Sequence, residues 1–196
     1  MDALSELLRV IRLSGTAFID ADLYAPWAVE TPPPSAIVAR LAPGAGRIIP
    51  YHVVTEGACH VKLTAHTPVE LAAGQVIMFP HGDVHVLAST LGLKPLQITT
   101  DAVVKLTRPD SIARVRYGGN GARTRLVCGF FACDEVLSEQ LIARLPSLMH
   151  CTIGGQRRGD PVSIGPAFRG GRAAGSQCRS RQALGVSVRG RDSRVR

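Results

Sequence analysis

Apolar and polar positions alternate in short runs along most of this chain, and glycine, proline or acidic turns separate the runs. At the start the period is helical. Leu4, Leu7, Leu8 and Ile11, with Val10, share one face, so the spacing predicts an amphipathic helix over 1–14, with Asp2 near its start and Ser14-Gly15 at its end. The period then changes to that of strands, expected at 16–23, 27–30, 37–41, 47–55, 58–65, 69–71, 76–79 and 84–87. Glu56-Gly57 reads as the turn joining 47–55 to 58–65 as a hairpin. Short strands recurring every 8 to 12 residues or so argue for a sandwich or barrel. Residues 91–114 carry less pattern and read as a long loop across the barrel end, followed by a flexible turn at Gly118-Gly119-Asn120-Gly121 and a last strand at 123–131. Asp134 can then cap a helix to Leu145, with Val136, Leu137, Leu141 and Ile142 on its apolar side and Pro146 at its end.

From Cys151 onward no period persists, and a segment rich in arginine, glycine and serine is expected to be disordered because it has little apolar surface to bury. Charge sharpens that boundary. Of the 23 Lys and Arg and 15 Asp and Glu, ten arginines and two aspartates follow residue 150, so the preceding part is neutral and the whole net charge of +8 lies in the tail. Such a tail can neutralise phosphates without sequence preference, which makes nonspecific nucleic-acid binding one reading and a solvated extension the other. No run approaches the roughly 18 apolar residues of a membrane helix, so no membrane partner is expected. Five cysteines without a Cys-x-x-Cys pair point to reduced thiols and a cytoplasmic setting.

The chemistry concentrates in 71–87. Gly74, Pro80, Gly82 and His85 are spaced so that a turn leads into a buried strand, proline and glycine make a corner, and His85 opens the next strand. A histidine held just past such a corner can bind a metal or an organic ligand inside a barrel. If Glu56-Gly57 is a turn, strand alternation puts His52 on the same face as residue 50. Both histidines can equally be hydrogen-bonded core residues. Trp27, the sole tryptophan, is a candidate for the barrel mouth or for the core. His81 and Asp83 flank the corner, with Asp83 able to orient His85 or cap the turn. His60 and His66 fit surface positions, and Arg123 and Arg125 fit an outer strand face with a weak claim on an effector carboxylate. No nucleophile motif or phosphate loop accompanies them.

The spacing of Gly74, Pro80, Gly82 and His85 resembles the second motif of the cupin superfamily. With Leu4 to Leu13, His52 to Gly57, Gly118 to Gly129 and Leu145 to His150, the chain resembles the N-terminal cupin domain of AraC-type bacterial regulators. That resemblance implies a mainly β jelly-roll barrel (a double-stranded β-helix) with flanking N- and C-terminal helices over 1–150. The implied function is sensing a small-molecule effector and forming a homodimer. The tail at 151–196 stands where the family carries two helix-turn-helix motifs, so a regulator lacking its DNA-binding half is expected, and an out-of-frame reading of a GC-rich gene is one hypothesis for the tail. The alternative is a metal-dependent cupin enzyme, a dioxygenase or isomerase. In metal-binding cupins the positions of Gly44, Gly46 and Pro50 carry ligands, so one alignment leaves His85, joined by His52, as a candidate divalent-metal site. Another would recruit His52, Glu56 and His85 together. The ligand-binding set expected from the sequence is therefore His52, His85 and Trp27.

Overall fold

The strand period is realised as two facing antiparallel-rich sheets. The computed structural model describes residues 14–107, 111–133, 139–140, 142–153, 163–164 and 186–187. Strands β1 (Ser14–Tyr24), β3 (Arg47–Glu56), β6 (Gln75–Met78), β9 (Ala113–Gly118), β10 (Arg123–Cys133) and β11 (Met149–Thr152) form a six-stranded sheet in the order β11-β6-β3-β10-β1-β9. Strands β2 (Ala28–Glu30), β4 (Ala58–Leu63), β5 (Val69–Ala72), β7 (His85–Ala88) and β8 (Leu96–Gln97) form the second, in the order β5-β4-β7-β2-β8.

One apolar cluster joins the sheets. Ala21, Leu23, Val54, Ile77 and Leu126 of the first meet Cys59, Val61, Leu63, Leu71 and Leu87 of the second, with Trp27 and Phe79 among them. The opposite face of the six-stranded sheet is also buried, around Tyr51, Val53, Val76 and Val127. This explains why Tyr51 to Thr55 are buried without alternation: a strand covered on both faces has no solvent side.

The chain passes between sheets at Gly57, at Gly74 and at the corner after Phe79. Gly57 has φ of 75°, and a Cβ there would stand 2.3 Å from the Arg123 carbonyl oxygen, so only glycine fits without displacement. The crossings brace one another, with Ala73 N–H donating to the Gly57 carbonyl and Gly74 N–H to that of Val54, each at 2.9 Å. Residues 47–56 and 58–63 are therefore not a hairpin as expected. β3 pairs with β6 and β10, and β4 with β5 and β7, because the turn at Gly57 carries the chain into the other sheet.

Three further expectations are corrected. Residues 37–41, expected as a strand, are helical: Pro34 opens a short 3-10 turn, Pro34–Ala36, that continues into α1 (Val38–Leu41). The stretch 91–114 contains α2 (Thr100–Leu106), whose N-cap Thr99 accepts from Ala102 N–H, together with β8 and the start of β9. The turn at 118–121 is pinned rather than loose, since Gly119 N–H reaches the Tyr24 carbonyl at 2.6 Å and Gly121 N–H that of Ala25 at 2.7 Å. The strand at 123–131 is extended to Cys133 and is followed by β11. The helix expected at 1–14 lies outside the described residues except for Ser14, which opens β1. Of the helix expected from Asp134, residues 139, 140 and 142 are helical and 134–138 lie outside the description, as does most of the tail. Among the described residues no helix is long and apolar enough to cross a membrane.

Candidate functional site

His52 and His85 come from opposite sheets and meet inside the sandwich. In β3, His52 is the cross-strand partner of Ile77 and of Cys128, and in β7, His85 is the partner of Leu63. Ile77 and Leu63 belong to the central cluster, so strand alternation turns both imidazoles inward. The two residues are 5% and 1% exposed, too little for either ring to be solvated. Their Nε2 atoms lie 2.7 Å apart. Phe79, the last residue before the proline corner, stacks on the His85 ring at 3.6 Å between centroids and 11° between planes, and meets His52 edge-on at 6.1 Å.

Proton positions follow from the partners. His85 Nδ1 is 2.8 Å from the Asp83 carbonyl oxygen, which can only accept, so Nδ1 carries the hydrogen. His85 Nε2 is then a bare acceptor, and His52 Nε2 donates to it. That leaves His52 Nδ1 as an acceptor, buried and without a partner. Burial also keeps the pair uncharged. It pushes the His85 imidazole down to about 4 against a weaker upward pull from the Asp83 carbonyl. His52 is held well below the usual imidazole range by burial first and by the neighbouring His85 second.

Two sheets crossing at glycine corners, with a histidine past a Gly-Pro-Gly corner, have a counterpart in known proteins: the family model described as Cupin matches residues 2–163. The chain belongs to the cupin family. No curated protein matches it. Among solved structures it is similar to the protein YhaK from Escherichia coli, at 10% identity and a TM-score of 0.38, over 79% of this chain and 50% of that one. The chain thus spans half the length of that protein.

Metal centres are frequent in cupin interiors, but the donors of this cupin are poorly arranged for one. Two imidazole nitrogens on one tetrahedral ion at about 2.0–2.1 Å would stand roughly 3.4 Å apart, so the His52 and His85 rings would have to separate and the shared proton leave. A third protein ligand is also needed. Pro50 offers none, and Glu56 is exposed and bound to Arg123 at 2.9 Å, which removes it from the set His52, Glu56 and His85. Burial pushes the thiol of Cys128, beside His52 across the ladder, up to about 12. Among the described residues no three His, Cys, Asp or Glu side chains are grouped to hold an ion.

The other candidates divide clearly. Trp27 is in the core at 2% exposure rather than at the mouth, its backbone N–H donating to Ser89 Oγ and its Nε1 left unpartnered. Asp83 does act on His85, but through its backbone carbonyl and not its carboxylate. His81 is half-buried and donates to the Leu145 carbonyl at 2.8 Å, tying the corner to the C-terminal segment. His66 is exposed and His60 half-buried. Arg123 pairs with Asp22 and Glu56, and Arg125 with Asp20, so both outer-face arginines are already engaged by carboxylates. Thr31, whose hydroxyl lies 3.3 Å from His85 Nδ1, and Phe79 belong to the site without having been singled out as such. The apolar run Val76 to Phe79 placed Phe79 in a strand, but no local signal marked Thr31.

Proposed function

We propose that this cupin domain senses a small-molecule effector and dimerises, as the N-terminal domain of an AraC-type regulator does. The observation that carries the reading is the direct Nε2–Nε2 hydrogen bond of His52 and His85 at 2.7 Å. Two neutral imidazoles already joined to each other form a polar, uncharged lining for a ligand, where a catalytic cupin needs them apart around an ion with further donors. The blocks at 52–57, 74–87, 118–129 and 145–150, in family order, support the regulator side of the reading.

A metal-dependent enzyme is the second reading, favoured by one observation: both imidazoles are held neutral, the state in which they bind metals. Elemental analysis of protein purified without a histidine tag separates the two. The sensing reading expects well under one metal ion per chain and a dimer by sedimentation. Stoichiometric iron, manganese or zinc that disappears in both His52→Ala and His85→Ala would favour the enzyme.

A further inference from the structure

We propose that the free edge of β9 takes up, as an added strand, an extended segment of a partner protein with acidic residues at alternate positions and apolar residues between them. The inference goes beyond the sensing reading and does not depend on it.

Among the described residues the two sheets end in β5, β8, β9 and β11. β9 is the longest of these edges, six residues against four, two and four for β5, β8 and β11. It is paired with β1 alone, so its other side presents backbone N–H and C=O groups for a further strand. Arg114, Arg116, Tyr117 and Gly118 are exposed and Ala113 and Val115 half-buried, so the strand is open to solvent. Its end is fixed in place. Gly118, at φ of 107°, abuts the Tyr24 carbonyl, and Gly119 N–H donates to the same oxygen at 2.6 Å. An edge held this way loses little freedom when a strand is added.

Charge selects the occupant. Ala21 and Leu23 face the central cluster, so Asp20 and Asp22 face outward, and the parallel register sets Arg114 beside Asp20 and Arg116 beside Asp22. Both carboxylates are bound from the other side, Asp20 by Arg125 and Asp22 by Arg123, which also holds Glu56. Among the described residues the two arginines of β9 are left without an ion pair, and Arg116 lies over the Tyr24 ring at 4.6 Å.

A second copy of β9 is a poor occupant. Antiparallel pairing sets residues of one face opposite each other, so about Val115 each Arg114 would meet an Arg116, and like charges so placed are destabilising. Arginines on an edge deter like edges, and the same two favour a strand with acids at alternate positions. β1 already displays the fit: Ile19, Asp20, Ala21, Asp22 and Leu23 stand beside Ala113, Arg114, Val115, Arg116 and Tyr117. Tyr117, 38% exposed, carries the apolar side out to the free edge. Backbone bonds then supply affinity, and the alternation supplies specificity.

The probe is a fluorescein-labelled, terminally blocked peptide with the sequence of residues 18–24, titrated into the full 196-residue chain by anisotropy, with hydrogen exchange followed over 113–118. The peptide is expected to bind and, at saturation, to slow exchange of the outward amides of β9 at least about tenfold. Lysines in place of its two aspartates should weaken binding at least about tenfold, and Arg114→Gln with Arg116→Gln roughly threefold to tenfold. The same peptide N-methylated at alternate residues keeps its charge and loses its backbone donors, so it separates strand addition from attraction to the arginine-rich tail without altering the protein. Equal binding of the N-methylated peptide means charge alone acts, and the proposal falls. Binding that leaves exchange at 113–118 unchanged overturns it, as does an absence of binding at millimolar peptide. Single-stranded DNA that slows exchange there as strongly as the peptide overturns it too, because the edge then takes phosphates. None of these outcomes bears on the sensing reading.

Discussion

Lowering the pH should destabilise this protein well before its carboxylates are titrated, and the histidine pair sets the size of the effect. The perturbation is a shift from pH 7.5 to pH 5. In the unfolded chain His85 returns to its ordinary value of 6.5, while in the folded chain burial holds it at about 4. Because the folded value is the lower one, the unfolded chain binds more protons between these limits. Stability is therefore complete above about pH 6.5 and falls as the pH drops toward 4. At pH 5 His85 alone accounts for a loss of about 2 kcal/mol, rising to about 3 below pH 4. His52, lowered by burial and by its neighbour, adds a loss of the same sign in the same window. Urea unfolding followed by Trp27 emission at half-unit steps measures the slope, which should approach two protons near pH 5.5. In His52→Leu the slope should be roughly halved. A stability that is flat or rising between pH 7.5 and 5 would refute the buried neutral pair.

Gly57→Ala should destabilise the fold by more than the usual 1–3 kcal/mol or so of an overpacked site, read as a lowered melting temperature, because a positive φ and an abutting carbonyl oxygen act together. Phe79→Ala removes a fully buried ring stacked on His85 and should cost about 3–5 kcal/mol in denaturant unfolding. Asp20→Asn breaks a bidentate pair in which Asp20 is 15% and Arg125 39% exposed, so the loss should be on the order of 1 kcal/mol and shrink in high salt.

The strands were legible because their signals are local. Val76 to Phe79 and Val84 to Leu87 are short apolar runs between glycines and a proline, and a period of two sufficed to turn His52 inward. What depended on tertiary pairing was not legible. Nothing in Glu56-Gly57 distinguishes a hairpin turn from a crossing between sheets; the Arg123 carbonyl that decides it is distant in sequence. β9 does alternate, Ala113, Val115 and Tyr117 with Arg114 and Arg116, but it is a short edge strand inside a stretch that otherwise lacks a period. α2 is too short for a helical period to accumulate. Both histidines of the site were found, yet their hydrogen-bond partners were not. The Asp83 contact that sets the tautomer is made by the backbone, which every residue type shares.

The central claim is that His52 and His85 form a neutral hydrogen-bonded pair and not a metal centre. Long-range ¹H–¹⁵N NMR of the histidine rings at neutral pH, before and after one equivalent of zinc, tests it most directly. The account predicts a hydrogen on His85 Nδ1 and on His52 Nε2, bare nitrogens at His85 Nε2 and His52 Nδ1, and no change of either ring with zinc. Stoichiometric zinc-induced shifts of both Nε2 resonances, with the proton displaced from between them, would contradict it.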